Sequence, residues 1–424
     1  MDNYKGELML QRAEKIFKSV DANSTLDSSG GLTLFENVQF IYELALAELE
    51  LKALGIEFEA TNGLRKFDLK GSHNDNSKIR KRVAYFESVD GFSTDYSEII
   101  KKNITKSVNQ YLTHWIYPYK GKFHPQMIRA LINIIGLEKG DTLLEPFSGS
   151  GTAAIEAQLL GVNIKGVDVS PLCVLQGKVK TESVDVLSKI VNEQEEILKS
   201  INMLDSKRVK IDDAIENIKD EKVRNFYKMA QLVAVSDNAR RGREFNQSFR
   251  RNLELMITSV KNYADVENKL KLKLGNVEIR EGDARKLDIK DGSIDGIITS
   301  PPYSIALDYV SNDAHALEAL GYDVKKIRDE FIGVRGSGAE KVLLYDKDME
   351  TCLREMHRVL KPEKMAAIVI GNATYQGQEV KTIALIEKMA KSMGFKEVKN
   401  INKIIFGLYN VMKKESILIF KKEG

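Results

Sequence analysis

The chain has 424 residues, 43% hydrophobic and 29% charged, and a formal net charge of +3, so it can bury a large core, predicts more than one domain and leaves any nucleic-acid affinity to local patches. Two distant cysteines, Cys173 and Cys352, exclude a zinc cluster or a disulfide framework and fit a reducing cytosol, and no metal site is expected. The stretch Met1 to Glu7 lacks a signal-peptide pattern and no apolar run approaches the ~20 residues of a membrane span, which predicts a soluble, cytoplasmic protein.

Residues 1–110 read as a separate, mainly helical region. Ala13–Val20 and Phe35–Leu54 combine helix-forming residues with apolar spacing, Gly55 stops the second, and Asn23–Gly31 is a loop. Lys78–Arg82 is a basic cluster that reads as a solvated helix face. Thr113–Gln126 mixes aromatic, basic and proline residues before a helix at Met127–Ile135. It suits either a rigid loop packed on a sheet or a segment folded over a ligand.

Asp141–Leu144 predicts a buried strand, and Thr152–Leu160 a helix stopped by Gly161. Between them runs Leu144-Glu-Pro-Phe-Ser-Gly-Ser-Gly151. Glycines in such a turn let the backbone approach a ligand, and the helix N-terminus offers free amides, so this reads as the entrance to a nucleotide-type site or else as a glycine turn without a ligand. Val162–Val169 is the next strand, and the carboxylate of Asp168 near its end can accept two hydrogen bonds from a ribose diol or else cap the turn at Ser170-Pro171. From about 176 to 274 the sequence is polar and helical. Within it, Asn238–Asn252 packs arginines around Phe245 and Phe249, a mixture suited to phosphate pairing and base stacking or else to a solvated helix face.

Asn276–Arg280 predicts a third strand with Asp283 at its carboxyl end, where an open parallel sheet binds ligands. Ser293–Ile298 predicts a fourth, running into Thr299-Ser-Pro-Pro-Tyr303. Two prolines stiffen the loop and leave carbonyls without neighbouring amide donors, so it offers acceptors to an exocyclic amino group, with an aromatic ring beside them. A helix at Asp348–Leu360, a strand at Met365–Ile370 and a helix at Thr382–Met393 follow. Ile401–Leu408 and Ser416–Phe420, separated by Tyr409–Glu415, resemble a hairpin. Alternating strands and helices with a closing hairpin indicate an α/β layered domain with one antiparallel strand.

With the glycine loop, Asp168, Gly282-Asp283 and Ser300-Pro-Pro-Tyr303 in this order, the chain resembles the S-adenosylmethionine-dependent amino methyltransferases. Within them it looks most like the DNA modification methylases acting on cytosine N4 or adenine N6. The resemblance covers residues 111–424 and implies a Rossmann-like class I fold with a mixed seven-stranded sheet and a helical insertion at 176–274. Phe147, Gly149 and Gly151 match the family's Phe-x-Gly-x-Gly, and Glu145 its preceding acidic residue. Asp168 falls where the family binds the cofactor ribose, Asp283 where it binds the adenine amino group, and Phe123 within the segment over the methionine end. Ser300, Pro301, Pro302 and Tyr303 match the catalytic tetrapeptide, whose serine form goes more often with cytosine N4.

Two features depart from the pattern: the cofactor loop precedes the catalytic loop, and no target-recognition domain follows. Recognition would then fall to residues 1–110, the insertion, or a loop at 304–347. RNA amino methylation and adenine N6 are the alternatives, with a non-catalytic nucleic-acid-binding module as the rival from another class. In the catalytic reading, Ser300 and the Pro301 carbonyl accept hydrogen bonds from the amine and free its lone pair for in-line attack. Tyr303 stacks on a base that is flipped out or single-stranded. Neither cysteine follows a proline, as carbon-5 cytosine methylation would require.

Overall fold

The computed structural model describes residues 31–61, 64–70, 76–103, 107, 109–202, 209–303, 308–375, 378–403 and 415–424. The helix expected at Ala13–Val20, and most of the expected segments Asn23–Gly31 and Tyr409–Glu415, fall outside them.

Residues 31–103 are mixed rather than mainly helical. The elements are β1 (Gly31–Leu34), α1 (Ile41–Ala53), β2 (Phe58–Thr61), β3 (Lys66–Leu69), α2 (Ser77–Arg82), β4 (Phe86–Val89), β5 (Phe92–Ser93) and α3 (Asp95–Ile100). The five strands pair antiparallel in the order β2-β3-β1-β4-β5. None exceeds four residues, so the two-residue alternation repeats too few times to be legible beside the 13-residue α1. Leu32, Leu34, Phe67, Phe86 and Val89 of these strands are buried, and the rings of Phe67 and Phe86 meet edge to face.

The basic cluster on α2 is also more than a solvated face. Arg82 is buried, and its guanidinium donates to Asn133 Oδ1 at 2.8 Å and the Leu137 carbonyl at 2.6 Å. Glu50 of α1 is fully buried and accepts from Ala84 N and Asn133 Nδ2, which ties this region to α4 (Pro125–Ile134).

Next come β6 (Thr142–Glu145), α5 (Thr152–Leu159), β7 (Asn163–Asp168) and α6 (Pro171–Glu182). The region between β7 and the following strand is helical, as expected: α7 (Leu187–Asn202), α8 (Val209–Glu216), α9 (Glu221–Arg241) and α10 (Phe245–Leu270). Then follow β8 (Val277–Glu281) and β9 (Ile294–Thr299). Beyond them, α11 (Tyr309–Ala319), α12 (Val324–Glu330) and α13 (Gly338–Val359) occupy the stretch read as a loop at 304–347. The chain closes with β10 (Leu360–Gly371), β11 (Ala373–Tyr375), β12 (Gln378–Val380), α14 (Thr382–Ser392), β13 (Phe395–Lys403) and β14 (Glu415–Lys422).

Seven strands form the main sheet in the order β13-β14-β10-β9-β6-β7-β8. Neighbours from β10 to β8 are parallel, and β14 alone runs against them, pairing antiparallel with both β10 and β13. This is the mixed seven-stranded sheet that the resemblance implied. From β6 the chain builds outwards through β7 to β8, then returns to place β9 on the other side of β6. That reversal leaves a crevice at the carboxyl ends of β6 and β9, where open α/β sheets bind ligands. Among the described residues, no helix is long and apolar enough to cross a membrane.

Candidate active site

The two loops singled out in the sequence meet at this crevice. A cavity of about 260 Å³ is lined by Phe123, Glu145, Phe147, Gly149, Asp168, Asp283, Ser300, Pro302 and Tyr303. Gly151 and Pro301 stand outside the lining.

The glycine loop is held from three sides. Ser148 N donates to the Val167 carbonyl, Gly149 N to Asp168 Oδ2 at 2.7 Å, and the buried Lys180 Nζ to the Ser150 carbonyl at 2.7 Å. Gly149 and Gly151 both adopt positive φ, +48° and +74°. Gly151 precedes α5, and a Cβ there would lie 2.8 Å from Gly177 Cα on α6. Its glycine therefore serves the packing of two helices as well as the turn.

Asp168 caps the turn, its Oδ1 accepting from Ser170 N at 2.9 Å, and the residue also lines the cavity. Burial raises its pKa to about 6, against the lowering effect of the backbone amides. Glu145 is buried at the end of β6, and burial, then the Asp168 charge, push its carboxyl well above the usual range. Glu145 Oε2 and Ser148 Oγ are buried without a hydrogen-bond partner. Two carboxyl groups disfavoured as anions and an unpaired hydroxyl fit a ligand that brings positive charge and hydroxyl or amine donors. Asp283 is less free than the sequence implied. Arg285 Nε reaches both of its oxygens at 2.9 Å, and Arg285 continues to Asp348 and the Glu330 carbonyl.

At the proline loop, Tyr345 donates to the Pro302 carbonyl at 2.8 Å. Tyr303 is 8% exposed, packed in the core beneath the loop, and its hydroxyl donates to Glu415 Oε1. Ser300 Oγ in turn donates to the Tyr303 hydroxyl oxygen at 3.2 Å, and Lys403 Nζ pairs with the second oxygen of Glu415. The segment before α4 also folds over the cavity. Tyr119 lines it, stacked at 6.2 Å on Tyr309, which stacks in turn on Phe331 at 6.1 Å. Below, Glu156 of α5 is fully buried and accepts from Tyr111 and His114, which fix the segment's base.

Residues 116–242 match the family model UPF0020: RMKL-like, methyltransferase domain. Over 198 residues the chain is 28% identical to the type II methyltransferase M.MjaII of Methanocaldococcus jannaschii, covering 45% of this chain and 34% of that protein. Over 95 residues it is 38% identical to the type II methyltransferase M.BsoBI of Geobacillus stearothermophilus, covering 22% and 18%. Residues 116–242 are thus similar to a methyltransferase domain. A 51-residue stretch is also 41% identical to the tRNA (guanine(10)-N2)-dimethyltransferase of Methanothermobacter thermautotrophicus, covering 12% of this chain and 15% of that protein. The aligned segments thus span about a third or less of these relatives' lengths.

Four side chains that line the cavity escaped the sequence reading: Tyr309, Phe331, Lys403 and Glu415. The last had a visible mark, a lone carboxylate at the head of the apolar run 416–420. The other three depend on α11, α12 and β13 folding back over the sheet. The arginine-rich stretch between α9 and α10 is half as read. Arg241 and Arg243 are exposed, though both pair with Asp237, whereas Phe249 is fully buried and Phe245 packs against the same core. Phe249 offers no surface for a base, and Phe245 is half-buried against the helical core. Cys173 and Cys352 are both buried and unpaired.

Proposed function

We propose that the protein transfers a methyl group from S-adenosylmethionine to an exocyclic amino group of a nucleic-acid base, with cytosine N4 in DNA favoured. The observation that carries this reading is the convergence of the glycine loop and Ser300-Pro-Pro-Tyr303 on one cavity at the β6–β9 crevice. Glu145, Phe147, Ser148, Gly149, Asp168 and Asp283 would hold the cofactor, with Phe123 beside its methionine end. When bound, it supplies an electrophilic methyl group on a sulfonium.

The protein's share is alignment and polarity. An aromatic amine is a poor nucleophile because its lone pair is spread into the ring. Ser300 Oγ and the Pro301 carbonyl, accepting its two hydrogens, would turn the nitrogen towards tetrahedral geometry and aim the pair at the methyl carbon. A duplex base must leave the stack to reach such a cavity. Cytosine rests on the serine of the tetrapeptide, and DNA on likeness to type II methyltransferases. Likeness to a tRNA dimethyltransferase keeps RNA as the second reading. Labelled methyl transfer to unmodified bacterial DNA and to total RNA, with the nucleoside identified by mass spectrometry, decides among them. N4-methylcytosine in DNA is expected. N6-methyladenine as sole product overturns the choice of atom, and product confined to RNA overturns the choice of polymer.

A further inference from the structure

Methylating an amine leaves one proton too many. The nitrogen forms a bond to the methyl carbon, the C–S pair stays on sulfur, and the nitrogen becomes cationic until a proton leaves it. A serine hydroxyl is a poor base by itself, so Ser300 needs a route to a group that takes the proton. The structure supplies a continuous one. Ser300 Oγ–H points to the Tyr303 oxygen and Tyr303 O–H to Glu415 Oε1, while Lys403 holds the other Glu415 oxygen. With its own proton directed at Tyr303, Ser300 Oγ presents lone pairs to the cavity, which is what an approaching amino group requires.

We propose that Ser300, Tyr303 and Glu415 form a proton relay that ends on the Glu415 carboxylate, anchored by Lys403. This rests on the amino-methyltransferase reading of the site. In the step, the amine proton passes to Ser300 Oγ, the serine proton to the Tyr303 oxygen and the phenolic proton to Glu415 Oε1. Serine and tyrosine end as they began, and Glu415 becomes the neutral acid, to be deprotonated by solvent after the product leaves. The driving force is chemical: a protonated aromatic amine is far more acidic than a carboxylic acid. Ser300 is the catalytic residue that touches the amine, and Tyr303 and Glu415 are positioning residues that act through it. The relay also gives Tyr303 a role that its burial supports better than base stacking does, since its ring is packed in the core and its hydroxyl faces Glu415.

The test uses the full chain with Tyr303→Phe and Glu415→Gln, which keep ring and shape. Single-turnover transfer to unmodified bacterial DNA, or to total RNA if that proves the substrate, should fall about a hundredfold in each, within the range of general acid–base contributions. Apparent KM for the nucleic acid and affinity for S-adenosylmethionine should hold, and the double variant should be little slower than either single one. Independently of activity, the wild type should show a low-field hydroxyl proton resonance that Tyr303→Phe removes and Glu415→Gln shifts upfield. A wild-type rate in Tyr303→Phe, or no such resonance, overturns the relay alone. A wild-type chain that methylates neither polymer overturns the proposed activity and the relay together.

Discussion

Asp168 shows how one side chain serves local structure and ligand at once. Its two oxygens hold Ser170 N and Gly149 N, so it shapes the glycine loop before any ribose arrives. Asp168→Ala removes a charged hydrogen-bond partner typically worth ~1.5–3 kcal/mol, and calorimetry should find S-adenosylmethionine bound roughly ten- to hundredfold more weakly. The raised pKa adds a pH signature. A ribose diol donates to the anion, so affinity should weaken as pH falls through about 6 and Asp168 protonates. Asp168→Asn should flatten that dependence. Equal dependence in both proteins would remove Asp168 from the site. For Asp283 the same substitution is a less direct probe, because Ala there also frees Arg285 from its main partner.

Among the elements, the turn between α9 and α10 carries the expectation of nucleic-acid contact. Arg240 is committed to the fold: it donates to the Pro118 and Asn312 carbonyls and pairs with Asp313, fastening α9 to the cavity's covering segment. Arg241 and Arg243 share the single carboxylate of Asp237, which leaves net positive charge exposed beside that fastening. If a strand backbone passes there, Arg241→Ala with Arg243→Ala should weaken binding similarly across sequences. The slope of log K against log salt should shrink by about one for each phosphate that is no longer neutralised. An unchanged slope, measured by fluorescence anisotropy of labelled DNA, would move the binding surface elsewhere.

For the whole molecule, the first described region and the main sheet share one hydrophobic core, in which Leu32, Leu46 and Phe67 join Leu131, Ile155 and Ile417. Glu50 is buried at this junction. Burial raises its pKa from 4.5 to about 7, against the lowering effect of hydrogen bonds from Ala84, Asn133 and Tyr85. A raised folded pKa means that the native state binds the proton more tightly than the unfolded chain. The contribution is therefore complete below about 4.5 and is lost as pH rises through about 7, a span worth up to about 3 kcal/mol. Denaturant unfolding from pH 4.5 to 8 should show the wild type losing more stability than Glu50→Gln across that window. Parallel curves would mean that Glu50 does not titrate there.

Apart from α11, α12 and the short pair β11–β12, the order of strands and helices from Thr142 to Lys422 was legible in the residues alone, because long apolar runs and glycine or proline stops are local properties that need no partner to be seen. The two loops were legible for the same reason, since glycines that must take positive φ and paired prolines leave a mark wherever they stand. Folding in three dimensions settled the rest. The small sheet of residues 31–93 is made of strands too short to announce themselves, and only antiparallel partners stabilise them. Only the return of β14 between β10 and β13 brings Glu415 to Tyr303 across 112 positions of chain, and Lys403 to Glu415 from the neighbouring strand. A hydrogen-bonded chain of that kind is a fact of distance in space, and residue order carries no record of it.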